Sequence, residues 1–271
     1  MTTELSIYQV DAFTDALFGG NPAAVVLLQE WLPDALLHKI AAENNLAETA
    51  FLVPERELYH LRWFTPKIEV DLCGHATLAS AQVVFEMLRP GRRSVTFLTR
   101  KAGPLTVTIQ GDRLEMDFPS RPPERVSAPV GLADALGAEP VEVWAAGKLL
   151  CVFETEGAVK ALQPDFRKVA ALDCFGVIAT APGNDGVDFV SRYFAPHAGI
   201  DEDPVTGSAH CTLVPYWSRR LGKAKLEARQ ISLRGGRLSC EDRGPRVSLA
   251  GRAVLYLEGR IFVPYHPGAE P

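Results

Sequence analysis

Short apolar runs separated by turn residues dominate the first half of the chain, a pattern that predicts strands with few helices. Residues 32–44 instead show helical spacing, with Pro33 and Asp34 near the start. Residues 75–88 predict a second helix, which begins apolar nearly all round and should therefore be buried. The predicted strands are residues 7–13, 23–28, 50–53, 59–65, 94–98, 105–110 and 113–118.

The second half of the chain repeats segments of the first half in the same order. The matches are KIAA at 39–42 with KVAA at 168–171, RWFTP at 62–66 with RYFAP at 192–196, GHA at 74–76 with GSA at 207–209, and VTIQG at 107–111 with VSLAG at 247–251. Any one match could arise by chance, but a colinear set indicates a fused duplication.

This duplication predicts the fold. Each half should consist of strands wrapped around one buried helix, so the chain is expected to be an α+β protein with two pseudo-symmetric rolls. The first would be residues 1–118, with residues 261–271 as a candidate addition, and the second would be residues 125–260. In the second roll, the buried helix should start at Gly207 and be kinked by Pro215. Residues 246–249 and 253–257 should form a hairpin.

Composition narrows the class of protein. With 271 residues, of which 47% are apolar and 23% charged, the chain can bury two substantial cores. A net charge of −5 without a basic stripe argues against a nucleic-acid partner, and the longest apolar run is too short to cross a membrane. Five cysteines without a C-x-x-C pair, and no signal-peptide pattern, predict reduced thiols in a cytoplasmic protein.

Both predicted central helices begin at a glycine that follows acidic residues, Gly74 in the first half and Gly207 in the second. A helix N-terminus offers unpaired N–H groups and a partial positive charge, so it suits a carboxylate ligand. If an approximate two-fold axis relates the halves, both N-termini meet in one cleft. The expected ligand there is a small carboxylate-bearing substrate.

Polar residues that differ between the halves are the candidates for chemistry. Glu48 lies between a helix and a strand, where the second half has Val177. Its apolar neighbours predict partial burial, which would raise the pKa of the carboxyl toward a value useful in catalysis, whereas a lone loop Glu is commonly just solvated. His75 and Ser208 occupy equivalent positions at the helix starts, and Asp203 precedes the second helix. Each of these also has an ordinary structural interpretation as a cap or turn residue.

Metal and serine-nucleophile chemistry fit the sequence less well. Cys73 and His75, together with the adjacent pair His210–Cys211, lack the spacing of zinc ligands, so no metal is predicted. The sequence around Ser208 is not the G-x-S-x-G of a serine hydrolase, and no nucleotide-binding glycine motif is present. No cofactor is therefore predicted.

Five motifs at these positions resemble those of the phenazine-biosynthesis isomerase family (PhzF-like), which is similar in fold to diaminopimelate epimerase and proline racemase. The motifs are FGGNPAAV at 18–25, NLAETAF at 45–51, RWFTP at 62–66, CGHAT at 73–77 and DPVTGSA at 203–209. The resemblance implies two diaminopimelate-epimerase-like β-rolls, each wrapped around a central helix, with the active site in the cleft between them. It also implies a homodimer.

The same resemblance implies roles for individual residues. Glu48 matches the family's general acid/base, which takes a proton from one carbon and returns it to another. The full set implied as catalytic is Glu48, His75, Asp203 and Ser208, and the set implied as substrate-binding is Asn21, Gly74 and Gly207. The glycine backbone amides would hold the substrate carboxylate.

One departure from the fold relatives limits the reaction. The two-base epimerases use one cysteine from each half; Cys73 matches the first position, but residues 204–206 contain no cysteine. The sequence therefore predicts a cofactor-independent isomerase like trans-2,3-dihydro-3-hydroxyanthranilate isomerase. The alternatives are an epimerase or racemase of an amino-acid-like acid, and a non-catalytic small-molecule-binding protein with the same fold.

Overall fold

The computed structural model describes residues 2–264, which fall into two compact units. The first unit contains the described residues up to Met116 together with those from Arg252 onward, and the second unit is Asp117–Gly251. Within the described residues, no helix has the length and apolar character needed to span a membrane.

The first unit is built from strands and two helices, as its alternating apolar runs predict. Its strands are β1 (Thr3–Ala12), β2 (Asn21–Leu27), β3 (Glu48–Glu55), β4 (Leu58–Phe64), β5 (Glu69–Val70), β6 (Ser94–Thr99), β7 (Pro104–Gln110), β8 (Arg113–Pro119), which runs past the unit boundary, and β18 (Ala253–Val263). Its helices are α1 (Asp34–Asn44) and α2 (Gly74–Val83), and α2 continues into a π-helical turn at Val84–Leu88. Most bounds lie within two residues of the predicted ones, but β1 begins four residues earlier than predicted and β5 was not predicted.

Strand pairing links the strands of the first unit into one series, and α2 packs against four of them. β1 pairs antiparallel with both β18 and β2, and β2 runs parallel to β3. β3 pairs antiparallel with β4, which is flanked by antiparallel β5 and parallel β6, and β6, β7 and β8 follow as an antiparallel series. α2 packs against β1, β2, β3 and β18, and its small residues let the surrounding strands approach on all sides.

The second unit has nine strands and four helices. The strands are β9 (Glu124–Arg125), β10 (Glu142–Ala145), β11 (Leu149–Val152), β12 (Val177–Pro182), β13 (Phe189–Ala195), β14 (Ile200–Glu202), β15 (Lys225–Gln230), β16 (Gly236–Asp242) and β17 (Arg246–Gly251). The helices are α3 (Leu132–Leu136), α4 (Glu156–Ala161), α5 (Phe166–Ala171) and α6 (Gly207–Leu221). α6 packs against β15, β16 and β17 and contains Pro215. It ends at Gly222, whose φ of 67° favours glycine.

The pairing order of the second unit is the same as that of the first. β9, β10 and β11 form an antiparallel series, and β11 runs parallel to β12. β12 pairs antiparallel with β13, which is flanked by antiparallel β14 and parallel β15, and β15, β16 and β17 complete an antiparallel series. Two units with one topology are what a fused duplication produces.

A partly buried ion pair recurs at equivalent places in the two units. In the first, Arg62 donates from Nε and Nη2 to the Glu69 carboxylate at 2.7 Å each. In the second, Arg192 makes the same two-pronged contact with Glu202 at 2.8 Å. Each guanidinium also lies 4.9 Å from a phenylalanine ring centre two residues along its own strand. These pairs belong to the shared scaffold, because both units have them.

The end of the chain differs from the expected domain division and the expected hairpin. Residues 253–260, expected in the second roll, lie in β18, and β18 pairs along β1 from Ala12↔Ala253 to Thr3↔Val263. The predicted pairing of 253–257 with 246–249 is therefore replaced by a long-range pairing within the first unit. Of the candidate addition 261–271, residues 261–264 continue in this unit, and residues 265–271 lie outside the described residues.

Candidate active site

Glu48 is the first residue of β3, where the chain enters the sheet after α1. α1 is followed by Asn45, whose left-handed φ of 48° turns the chain, and Glu48 then pairs with Ala23 of β2. Only 13% of the Glu48 side chain is exposed, as its apolar flanks predicted. A carboxylate thus points into a largely dry part of the first unit.

His75 lies beside this carboxylate at the start of α2. The His75 ring is 3% exposed, and its Nε2 atom lies 3.2 Å from Glu48 Oε2, which is ion-pair distance without the alignment of a hydrogen bond. On the other side of the ring, Asn21 Nδ2 lies 3.0 Å from Nδ1. An amide nitrogen can only donate, so in this arrangement Nδ1 accepts and Nε2 carries the hydrogen that faces Glu48. Protonating Nδ1 as well requires Asn21 to turn its amide oxygen toward the ring.

Burial and neighbouring groups act in opposite directions on His75. Burial disfavours the charged imidazolium, but the adjacent Cys73 and Glu48 outweigh it and hold the pKa of His75 well above its usual value. Cys73 Sγ lies 3.5 Å from His75 Nδ1, and burial raises the pKa of this thiol to about 11. Cys73 is therefore a neutral thiol near pH 7.

The N-terminus of α2 has no side-chain cap, as a binding site for a carboxylate ligand requires. Gly74 is its first residue and is buried, and the preceding Cys73 is extended and makes no side-chain capping hydrogen bond. The backbone N–H groups of the first turn and the helix dipole therefore add positive potential next to Glu48 and His75. In the first unit, the structure brings together Asn21, Glu48, Gly74 and His75.

The predicted residues of the second unit lie at the start of α6. Gly207 and Ser208 are its first two residues; Gly207 is buried and Ser208 partly exposed. Asp203 is 9% exposed and accepts a 2.5 Å hydrogen bond from Thr206 Oγ1. The α6 N-terminus likewise has no side-chain cap. The single cleft expected from the repeat stays a prediction.

Gln230 is a polar residue of this region that the sequence reasoning did not single out. This fully buried side chain of β15 accepts from Thr206 N at 2.9 Å and donates to the Asp203 carbonyl oxygen at 2.7 Å. Its Nε2 also lies 3.2 Å from Thr206 Oγ1. Gln230 therefore fixes both the Asp203 loop and the first turn of α6. A polar residue at the end of an otherwise alternating strand was the available signal.

His210 completes the fixation of the α6 start. Its Nδ1 donates to the Thr206 carbonyl oxygen at 2.8 Å, and burial lowers its pKa to about 4. The ring is therefore neutral at ordinary pH, and its pKa is shifted in the opposite direction to that of His75.

One group in the described part of the chain could hold a metal ion. The ligand atoms of Glu48, Cys73 and His75 all lie within 4.8 Å of one another. Binding would require the Cys73 thiol to lose its proton, which burial opposes. The predicted absence of metal and of other cofactors stays a prediction.

Comparison with known proteins gives the family. The family model described as phenazine biosynthesis-like protein (PhzC–PhzF) matches residues 10–259. The chain belongs to the phenazine biosynthesis-like family. Within it, an uncharacterised isomerase of Pseudomonas aeruginosa is 53% identical over 260 residues, which cover 95% of this chain and 98% of that protein. A crystal structure of a PhzF-family protein from Enterococcus faecalis is 46% identical, with a TM-score of 0.92, and covers 96% of this chain and 100% of its own.

The family assignment confirms the recognition from motifs and the α+β fold class. A hydroxyproline epimerase from Agrobacterium vitis, 10% identical with a TM-score of 0.60, shares the fold over 96% of this chain and 92% of its own. This PhzF-like chain is thus an enzyme of the isomerase class on an epimerase-like fold, and its exact reaction is a separate question.

Proposed function

We propose that the protein isomerises a small carboxylate-bearing substrate by proton transfer through Glu48, without a cofactor, in the manner of trans-2,3-dihydro-3-hydroxyanthranilate isomerase. The observation that carries the proposal is the placement of Glu48. Its carboxylate is largely buried, lies 3.2 Å from a fully buried imidazole, and adjoins an uncapped helix N-terminus. A carboxylate in such surroundings can take a proton from one carbon and return it to another.

His75 supports this role by electrostatics and orientation. Asn21 contacts its ring at Nδ1, and Nε2 lies 3.2 Å from Glu48 Oε2, so the imidazole places a polar N–H group directly beside the carboxyl group. When Glu48 has taken a proton from the substrate, the imidazole stays beside it and stabilises the negative charge that develops on the substrate. The amides at Gly74 supply a place for the substrate carboxylate.

The second unit offers groups of matching chemistry. Asp203 and Ser208, with the uncapped α6 N-terminus at Gly207, supply a carboxylate, a hydroxyl and backbone donors. We propose that they orient the substrate for the proton transfer at Glu48. Cytoplasmic location and a homodimeric assembly are further parts of the proposal, which family membership supports.

The test is isomerisation in deuterated water. The protein is incubated with trans-2,3-dihydro-3-hydroxyanthranilic acid and followed by NMR, in parallel with Glu48→Gln and with Glu43→Gln, an exposed control. We expect isomerisation with deuterium incorporation, lowered roughly 10²–10⁴-fold in Glu48→Gln and unchanged in Glu43→Gln. Full turnover in Glu48→Gln would refute the assignment of the base. Deuterium exchange at a substrate carbon without net conversion would identify an epimerase instead.

A further inference from the structure

Lys148 is a buried cation that the proposed reaction does not use. It lies in the turn before β11 and is 8% exposed, although lysines are rarely buried without an acidic partner. Its Nζ lies 5.9 Å from the ring centre of Phe175 and 5.8 Å from that of Tyr193. Among the described residues, the ammonium group contacts these two rings, and no carboxylate forms an ion pair with it.

The charges around Lys148 leave its ammonium group uncompensated. Burial, and then the nearby Arg121, lower the pKa of Lys148. Cys211 would attract the ammonium group only as a thiolate, and burial raises the pKa of that thiol to about 11, so it is neutral near pH 7. Ring contacts close to 6 Å are at the weak end of cation–π interactions and do not replace an acidic partner. Among the described residues, Lys148 itself therefore has no acidic partner, although Asp203 acts electrostatically on the neighbouring Tyr193.

In the repeat, Lys148 is equivalent to a residue of the first unit that lies next to the candidate site. β11 aligns with β12 in the same register as β2 with β3, so Lys148 corresponds to Pro22. The residue before Pro22 is Asn21, which contacts His75 at the start of α2. In the second unit, Lys148 therefore lies one residue after the position from which Asn21 contacts His75 in the first unit.

Tyr193 supplies a second unsatisfied group at the same place. Its side chain is 4% exposed, and its hydroxyl has no hydrogen-bond partner among the described residues. The ring fits there because residue 176 is glycine: a Cβ at Gly176 would lie 2.6 Å from the Tyr193 hydroxyl. The Tyr193 carbonyl also accepts from the backbone N–H of Asp203 at 3.0 Å, which links this ring to the candidate site residues.

We propose that the Lys148 ammonium group and the Tyr193 hydroxyl bind a second carboxylate group of the ligand in the second unit, in addition to the one proposed for the Gly74 amides. A carboxylate would neutralise the buried cation and accept a hydrogen bond from the phenol, satisfying both groups at once. The inference rests on the proposed function only in taking the ligand to be a small organic acid. It assigns Lys148 as a residue that selects for a carboxylate.

The test uses malonate as a carboxylate probe and chloride at equal ionic strength as the reference. Thermal unfolding and isothermal titration are measured for the full chain, Lys148→Met, Tyr193→Phe and the exposed control Lys160→Met. We expect malonate to stabilise the unaltered protein and Lys160→Met alike. In Lys148→Met, malonate affinity should fall about tenfold or more, and in Tyr193→Phe it should fall by less. Without malonate, Lys148→Met should unfold at a temperature equal to or above that of the unaltered protein, because a buried charge without an acidic partner has been removed.

Two results would overturn the assignment. One is the absence of any malonate-specific stabilisation of the unaltered protein; the other is undiminished malonate binding by Lys148→Met. Failure of the proposed reaction is distinguishable, because Glu48→Gln should lose proton transfer in deuterated water and still show the malonate effect.

Discussion

Replacing Gln230 by Met should both destabilise the second unit and disturb the candidate site. Met has a similar length but removes the amide, so the buried Thr206 N–H loses its partner at 2.9 Å and the Asp203 carbonyl loses its donor at 2.7 Å. Leaving a buried polar group unsatisfied costs about 1–3 kcal/mol, so two such groups give an expected loss of roughly 2–6 kcal/mol. The side chain is fully buried, so water cannot take over these bonds without a rearrangement.

Urea unfolding measures this loss, and proton transfer in deuterated water measures its effect on function. Gln163→Met, an exposed substitution in the same unit, is the matched control and should stay within about 0.5 kcal/mol of the unaltered protein. We also expect kcat to fall in Gln230→Met, because both Asp203 and the first turn of α6 lose the group that fixes them. A loss of stability below about 1 kcal/mol, with unaltered kcat, would refute this interpretation of Gln230.

Three further predictions concern the buried titratable groups. The pKa of His75 is raised on folding, so its contribution to stability should be complete below about pH 6.5 and disappear as the pH rises through the folded-state pKa. The measurement is the unfolding free energy of the unaltered protein minus that of His75→Phe, followed against pH. This difference should decrease as the pH rises, and an increase would contradict the prediction. The pKa of His210 is lowered to about 4, so as the pH falls the unfolded chain binds the proton before the folded protein does. The free energy of unfolding should therefore fall by up to roughly 3 kcal/mol from pH 6.5 to 4. In His210→Gln this pH dependence should be lost, and an unchanged pH dependence would contradict the lowered pKa. Burial raises the pKa of Cys73 to about 11, so this thiol should resist alkylation by iodoacetamide in the folded protein at pH 8. The rate of proton transfer in Cys73→Ala should stay within about threefold of that of the unaltered protein. Rapid labelling or loss of turnover would instead favour a mechanism that uses the thiol.

Much of the fold could be predicted because its local signals are strong. The start of α6 at Gly207 and its end before Gly222 agree with the structure, since the first follows from the repeat and the second from a glycine that can adopt the left-handed conformation. The pairing of β18 with β1 could not be predicted from such signals. A run of alternating residues says that a strand forms, but nothing local says which of two available strands it pairs with, and a nearby hairpin partner was assumed.

The candidate site was predictable to a different extent in each unit. Glu48 and His75 stood out because their equivalents are Val177 and Ser208, and the structure places them 3.2 Å apart. Gln230 and Lys148 did not stand out. A lysine in a turn is ordinary in sequence, and a glutamine at a strand end is only a weak signal, so burial in the structure is what distinguishes both residues.

The duplication itself separates scaffold from chemistry. The Arg62–Glu69 and Arg192–Glu202 pairs have the same two-pronged geometry, so selection for the fold alone accounts for both. At the starts of the central helices, by contrast, the units differ: the first has a histidine next to a buried carboxylate, and the second has a serine after a loop fixed by glutamine. A polar contact that both units have is explained by the shared fold. A buried polar side chain that only one unit has costs desolvation free energy, and the shared fold does not require that cost. On that argument, Glu48, Gln230 and Lys148 are the residues whose replacement should reduce ligand binding or turnover more than the fold alone explains.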